Sequence, residues 1–166
     1  MNKKLIAMLF FMAPLALFAQ KFGHLNSAEI MQLMPEVKIA EKKIQASQKG
    51  YEEELLRLQA EFAKNVEEYE SKKSTMLESV RQRHEADLQD KQARLQESAQ
   101  YYEQQLQMEY QQEMSLISEK ITKAIKEVGV AGGYLYIFDV ASGIPYISET
   151  LSTDVTGAVK AKLGIK

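Results

Sequence analysis

Two stretches in the middle of the chain decide the fold: YEEELLRLQAEFAKNVEEYE at residues 51–70 and LQDKQARLQESAQYYEQQL at residues 88–106. In each stretch apolar residues recur every three, four or seven positions, which is the spacing of one face of an α-helix. From 36 to 128 only Gly50 interrupts a run of helix formers, and one glycine costs about 1 kcal/mol relative to alanine. The sequence therefore predicts helix over 36–128.

A hairpin explains this range better than a single rod, because a straight helix of this length would extend about 140 Å. Two antiparallel arms keep a constant sum of residue numbers between facing positions, and the apolar residues satisfy that condition. The pairs are Tyr69 with Leu88, Phe62 with Leu95, Leu58 with Ala99, Leu55 with Tyr102, and Tyr51 with Leu106. This register predicts a tip within 74–83 and arms of about 60 Å.

The segment before the hairpin, residues 20–35, predicts the first part of a small base. Residues 21–26 (KFGHLN) form a short strand candidate. Ser27 is of a residue type that caps helices, and it predicts a short helix over 28–34.

Residues 129–166 predict the rest of the base. Gly129, Gly132 and Gly133 read as a turn, followed by the strand-forming run YLYIFD at 134–139. Residues 144–147 predict a second strand in this segment. Asp154 is predicted to cap a helix over 155–163. The fold class is thus α+β, with a three-stranded base carrying a long antiparallel helical hairpin. So small a base buries little core, which favours association of several copies.

The N-terminus predicts export. Lys3 and Lys4 precede an apolar run over 5–18, and Leu17-Phe18-Ala19 is an acceptable cleavage site, so residues 1–19 read as a signal peptide. The run is shorter than the roughly 20 residues that span a bilayer. The chain has no cysteine and a formal net charge of −2, which disfavours disulfides, thiol chemistry and nucleic-acid binding.

No constellation for catalysis, a cofactor or a metal emerges from the sequence. The two histidines, His24 and His84, fall in a predicted strand and near the predicted tip, too far apart to share a metal ion. The glycines at 129–133 precede a strand, whereas a phosphate-binding loop joins a strand to a helix. We predict a protein that is not an enzyme.

Three segments resemble the Skp/OmpH family of periplasmic chaperones: KFGHLNS at 21–27, GYLYIFDV at 133–140 and DVT at 154–156. The resemblance implies a homotrimer whose hairpins surround a cavity that holds unfolded outer-membrane proteins without ATP. It also implies that five residues contribute to the trimer core: Phe22, Leu25, Leu135, Ile137 and Val140. The alternative is an exported coiled-coil adaptor or spacer that docks one folded partner.

Two features of the hairpin are candidates for binding. The first is a basic tip of Lys72, Lys73, Arg81 and Arg83, which either solubilises the helices or steers acidic clients or anionic membrane surfaces. The second is a group of apolar residues left over after the seam is filled, some of which widen the seam while the rest form a Met- and Tyr-rich binding surface. Its members are Leu56, Val66, Met76, Leu77, Val80, Tyr101, Met108, Tyr110 and Met114.

Overall fold

The computed structural model describes residues 20–165, and the predicted signal peptide at 1–19 lies outside this range. The described chain forms two compact units, residues 20–34 with 118–165 (the base) and Pro35–Ile117 (the hairpin). The elements in chain order are β1 (Lys21–Leu25), α1 (Ser27–Leu33), α2 (Pro35–Lys72), α3 (Glu78–Gly132), β2 (Tyr134–Asp139), β3 (Ser152–Asp154) and α4 (Thr156–Leu163). Short 3₁₀ turns cover Lys73–Thr75 and Val140–Ser142. The predicted α+β class is confirmed.

The base contains a three-stranded sheet in the order β2-β1-β3, and both pairings are parallel. Parallel strands need a crossover between them, and the chain between β1 and β2 supplies it. The buried side chains of the base come from the central strand and the helices: Leu25, Ile30, Met34, Ile121, Ala124, Val155 and Val159. Full burial of a side chain such as Ile30 or Leu25 stabilises the fold by about 1.5–3 kcal/mol.

The first helix is capped by Asn26, and the predicted cap at Ser27 is wrong. The Asn26 side chain accepts a hydrogen bond from the Glu29 N–H at 3.2 Å, which satisfies a donor of the first helical turn. Ser27 is already helical, and its N–H and hydroxyl both donate to the Asp139 carboxylate. The helix therefore begins one residue earlier than predicted.

The end of α3 also differs from the prediction, because Gly129 and Gly132 are helical and only Gly133 leaves the helix. Gly133 has a φ of +64°, a left-handed conformation that glycine adopts without strain. A Cβ on Gly132 would lie 2.4 Å from a ring carbon of Tyr134, so this position has no room for a side chain. Lys21 donates to the Gly132 carbonyl at 3.1 Å and thereby binds β1 to the end of α3.

The third strand is Ser152–Asp154, and the predicted strand at 144–147 is wrong. Residues 144–147 have no strand conformation, and Pro145 has no N–H to donate to a ladder. β3 instead pairs with β1. The Val155 N–H donates to the His24 carbonyl at 2.8 Å, and Ser152 Oγ lies 2.8 Å from His24 Nδ1. Asp154 accepts from the Thr156 N–H at 2.8 Å, next to the first turn of α4.

In the hairpin unit, α2 and the first part of α3 are joined by the 3₁₀ turn and by Met76 and Leu77. The turn overlaps the start of the predicted tip at 74–83, but 78–83 are helical. Tyr51 stacks on Tyr102 with ring centroids 4.6 Å apart, and its hydroxyl donates to Glu109 at 2.9 Å. This hydrogen bond raises the pKa of Tyr51.

The seam between the two arms is thin. Ala40 and Ile117 are buried, but no residue from 41 to 116 is. Predicted seam residues such as Phe62 and Leu95 are only half-buried. Because helices owe most of their stability to a buried face, this part of the hairpin lies at the low end of the stability of the chain.

Asp139 links the end of β2 to the start of α1. Its carboxylate accepts from the Ser27 hydroxyl, from the Ser27 N–H at 3.1 Å and from the Ala141 N–H at 3.0 Å. Burial by itself would raise the pKa of Asp139, but these hydrogen bonds outweigh burial and hold the pKa below the usual value of 3.8. The ionised form is therefore favoured by folding.

We expect Asp139→Asn to destabilise the base by about 1 kcal/mol at pH 7, since an amide accepts fewer and weaker hydrogen bonds and the site is partly exposed. Because the pKa of Asp139 is lower in the folded state than in the unfolded state, the ionised carboxylate stabilises the fold at any pH above the unfolded-state pKa. This stabilisation is lost as the pH falls through the folded-state pKa. Hydrogen exchange of β1 and β2 amides should thus differ between the two proteins at pH 7 and converge once the pH falls below the folded-state pKa of Asp139. A difference that persisted in acid would contradict this role.

Candidate functional site

The base leaves one face of its sheet largely uncovered. Successive side chains of a strand point to opposite faces of the sheet, so Tyr136 and Phe138 lie on one face and Leu135 and Ile137 on the other. Phe22 stacks with Tyr136 at 6.4 Å, and Tyr136 lies 6.0 Å from Phe138. Tyr136 is 59% exposed and Phe138 43%. We call these three aromatic residues, Phe22, Tyr136 and Phe138, the open sheet face.

The segment between β2 and β3 borders this face with further apolar side chains. Phe22 and Phe138 line a groove of about 250 Å³ together with Ile144, Ile147 and Leu151. Tyr146 and Leu151 are each 79% exposed, which is high for apolar side chains. A continuous apolar patch of this kind marks a surface that binds another molecule.

The five residues that the resemblance assigns to a trimer core occupy different environments. Leu25 is 1% exposed and belongs to the core of its own chain. Ile137 is half-buried and lies over Gly23, where a Cβ would meet it at 3.2 Å. Val140 is half-buried in the 3₁₀ turn, Phe22 lies on the open sheet face, and Leu135 is 51% exposed.

Sequence reasoning missed four exposed apolar residues of the base, namely Tyr136, Phe138, Tyr146 and Leu151. The run YLYIFD is apolar at every position except the last, which is typical of a strand with apolar neighbours on both faces. A base this small covers only one face of the strand. The apolar residues of the other face, Tyr136 and Phe138, could therefore have been predicted to be exposed.

The leftover apolar residues of the hairpin are mostly exposed. Six of the nine have large exposed fractions: Leu56 64%, Leu77 75%, Val80 40%, Tyr101 55%, Met108 51% and Tyr110 53%. Val66, Met76 and Met114 are half-buried. Tyr101 and Met108 are seven residues apart and therefore share one face of α3. The hairpin thus carries a sparse apolar surface along its length.

The basic tip is partly neutralised by neighbouring acids. Lys73 pairs with Glu70, and Arg81 pairs with Glu78 at 2.7 Å. The hydrogen bond from Arg81 lowers the pKa of Glu78. Lys72 and Arg83 have no ion pair within residues 20–165, so two of the four cations are available to another molecule.

The two histidines have local roles. His24 is bonded to Ser152 across the β1–β3 pair, and the His84 ring lies 6.5 Å from the Tyr69 ring. Among residues 20–165, no group of three His, Cys, Asp or Glu side chains is placed to hold a metal ion. In the same range, no helix combines the length and the apolar character needed to cross a membrane.

A small sheet with an uncovered apolar face, joined to a hairpin that exposes Leu, Met and Tyr side chains, defines a binding protein. The family model described as "Outer membrane protein (OmpH-like)" matches residues 21–163. The chain therefore belongs to the OmpH-like family, and the resemblance seen in the sequence is confirmed.

Individual relatives agree with this assignment. The chaperone protein Skp of Yersinia enterocolitica is 28% identical over 144 residues, which cover 86% of this chain and 87% of that protein. Skp of Pectobacterium atrosepticum is 26% identical over the same lengths. The crystal structure of an OmpH-like outer membrane chaperone from Caulobacter crescentus CB15 has a TM-score of 0.70 at 18% identity, covering 86% of this chain and 82% of that one. This last similarity shows a shared fold.

Proposed function

We propose that this chain is an ATP-independent holdase chaperone of the periplasm, which binds unfolded outer-membrane proteins and prevents their aggregation. The observation that carries the proposal is the hairpin unit, whose residues 41–116 include no buried side chain while Leu56 is exposed on α2 and Leu, Met and Tyr side chains are exposed on α3. Membership of the OmpH-like family and the similarity to Skp chaperones support it. The activity needs no catalytic step.

The mechanism rests on many weak contacts. Met108 is unbranched and polarizable, and Tyr101 and Tyr110 combine an apolar ring with a polar tip, so these side chains adapt to many partners. Each contact is weak, but several on one client raise the effective concentration of the others. The client leaves when its own folding becomes more favourable than the sum of these contacts. Release therefore requires no nucleotide.

We propose further that three copies associate through the base. The open sheet face and the adjacent groove supply apolar surface that a single chain leaves in water. Three hairpins on a shared base would enclose a space for the client. This arrangement places the binding surfaces of three chains around one client, which multiplies the weak contacts.

The remaining proposals concern location and the tip. A cleavable signal peptide at 1–19 would deliver the chain to the periplasm. The unpaired Lys72 and Arg83 would steer acidic clients, or an anionic membrane surface, toward the end of the hairpin. Both interactions would weaken with rising salt, because exposed charges are screened over about 10 Å at 0.1 M.

The second candidate function is that of an adaptor with one folded partner, which the length of the hairpin favours. The two functions differ in selectivity. A chaperone binds several unrelated unfolded proteins and ignores their folded forms, whereas an adaptor binds one folded protein. Parallel binding assays with folded and unfolded forms of the same proteins separate the two.

The direct test is an aggregation assay with the chain from Gln20 onward. When an outer-membrane β-barrel protein is diluted from denaturant, we expect an excess of this protein to remove most of the light scattering that otherwise develops. The folded barrel in detergent micelles should not bind, because its apolar residues face the detergent. Scattering that develops unchanged at a large excess of the protein would exclude the holdase function.

A further inference from the structure

The hairpin carries two adjoining cavities between its arms. They have volumes of about 280 and 310 Å³, lie between α2 and α3, and share Asn65 and Lys91 as lining residues. We call the two cavities together the flank groove. Its floor is made of half-buried apolar side chains: Leu58, Phe62, Tyr69, Met76, Leu88 and Leu95.

Each acidic side chain of the flank groove has a basic partner. Asp87 pairs with Lys91 at 3.2 Å, which balances two lining residues against each other. Glu61 pairs with Arg57 at 3.5 Å, but Arg57 binds Glu54 more closely, at 2.6 Å. Glu68 lies 4.0 Å from Lys64, and neither Arg57 nor Lys64 lines the groove.

Two cations of the flank groove have no such partner. Arg94 lines the first cavity and Lys72 the second, and neither has an ion pair within the described chain. An apolar floor with two uncompensated positive charges is complementary to an apolar segment that carries negative charges.

The distance between these two cations sets the spacing of their partners. Phe62 and Leu95 line one cavity from the two arms, and Arg94 directly precedes Leu95. Lys72 follows Phe62 by ten residues on α2, so the backbones of the two cationic residues are offset by about 15 Å along the hairpin at the rise of an α-helix. An extended chain rises about 3.3 Å per residue, so two side chains four residues apart lie about 13 Å apart. Side chains separated by an even number of residues also point to the same side of the extended chain.

We propose that the flank groove binds an extended client segment, with apolar side chains on its floor and two acidic side chains, four residues apart, on Arg94 and Lys72. This inference rests on the proposed function and names the kind of segment that a client presents. It explains why the floor is left half-exposed, since a fully packed seam would offer no surface to a client. It also explains why the unpaired charges lie beside that floor.

The test uses labelled twelve-residue peptides of alternating apolar and polar residues, measured by fluorescence anisotropy with the mature protein. One peptide carries two aspartates four residues apart, the second carries lysines at those positions, and the third carries the two aspartates two residues apart, which keeps both at polar positions. We expect the first peptide to bind most tightly. Arg94→Glu should weaken its binding about fivefold, and Lys72→Glu/Arg94→Glu more than that while improving the binding of the lysine peptide.

The matched control is Lys42→Glu, which changes the net charge by the same amount at an exposed cation of α2 that neither lines the groove nor belongs to the basic tip. It should alter binding of the first peptide less than twofold. Circular dichroism of each variant checks that the helices are retained. Equal losses in Lys42→Glu and Arg94→Glu, or equal binding of the three peptides, would overturn the proposal, because either result indicates a general charge effect.

Anionic vesicles of phosphatidylglycerol provide the competing outcome. If Arg94→Glu reduced vesicle binding and left peptide binding unchanged, the groove cations would serve lipid and the proposal would be wrong. The aggregation assay separates this failure from that of the proposed function. If the wild-type protein suppresses aggregation and Arg94→Glu binds the peptides as the wild type does, the holdase function stands and only the proposed role of the flank groove is wrong.

Discussion

Replacing Tyr136 with aspartate should dissociate the proposed trimer into single chains. Tyr136 is the most exposed residue of the open sheet face, at 59%, and its ring lies between those of Phe22 and Phe138. Aromatic side chains dominate the energetics of interfaces, and a buried carboxylate without a partner costs several kcal/mol. Since a symmetric trimer repeats each contact three times, one substitution removes three contacts.

Light scattering coupled to size exclusion measures the outcome as a mass. The wild-type protein should elute at three times the mass of one chain, and Tyr136→Asp at the mass of one. Tyr101→Asp is the matched control, because Tyr101 is 55% exposed and lies in the hairpin unit. It should remain trimeric. A wild-type protein found as single chains at micromolar concentration would contradict the trimer, and a trimeric Tyr136→Asp would place the interface elsewhere.

The hairpin could be predicted because its determinants are local. Helix formers without an interior proline, and apolar residues at helical spacing, act within a few residues of one another. The predicted pairing of Phe62 with Leu95 brought together residues that line one cavity. The exact residues of the turn were harder to predict, because helix ends depend on single residues and strong helix formers continue on both sides of Lys73–Thr75.

The position of the third strand in the sheet of the base could not be predicted from the local sequence pattern. β3 is the short polar run Ser152–Asp154, and its place in the sheet comes from remote contacts with His24 on β1. The more strand-like residues at 144–147 instead border the groove beside Phe22. Tertiary contacts thus override intrinsic strand preference in so short an element.

The end of α3 illustrates a different limit. Three glycines within five residues predicted a turn, yet Gly129 and Gly132 remain helical because one glycine costs only about 1 kcal/mol there. Gly132 is needed for a contact with the Tyr134 ring, and only Gly133 has the left-handed backbone that ends the helix. Which of several glycines ends a helix depends on packing that the sequence does not state.

Replacing four exposed apolar residues of the hairpin with glutamine should abolish the holdase activity while the fold and the oligomeric state persist. The residues are Leu56, Tyr101, Met108 and Tyr110, each more than half exposed. Half-exposed side chains of this size contribute about 1 kcal/mol each when a client covers them, so the four together weaken client binding about a hundredfold or more. Glutamine is a good helix former, so the helices should be retained.

The aggregation assay described above measures this loss as the amount of protein needed to halve the scattering. The matched control replaces Gln96, Gln104, Gln107 and Gln111 with alanine, which alters four exposed positions of α3 and removes no apolar surface. The control should suppress aggregation as the wild-type protein does, and both variants should keep the wild-type mass. If the glutamine variant held clients as well as the control, the exposed apolar side chains would not be the binding surface. Holding would then have to come from the flank groove or from charge. High salt separates the two, because it removes the contribution of charge while apolar contacts persist.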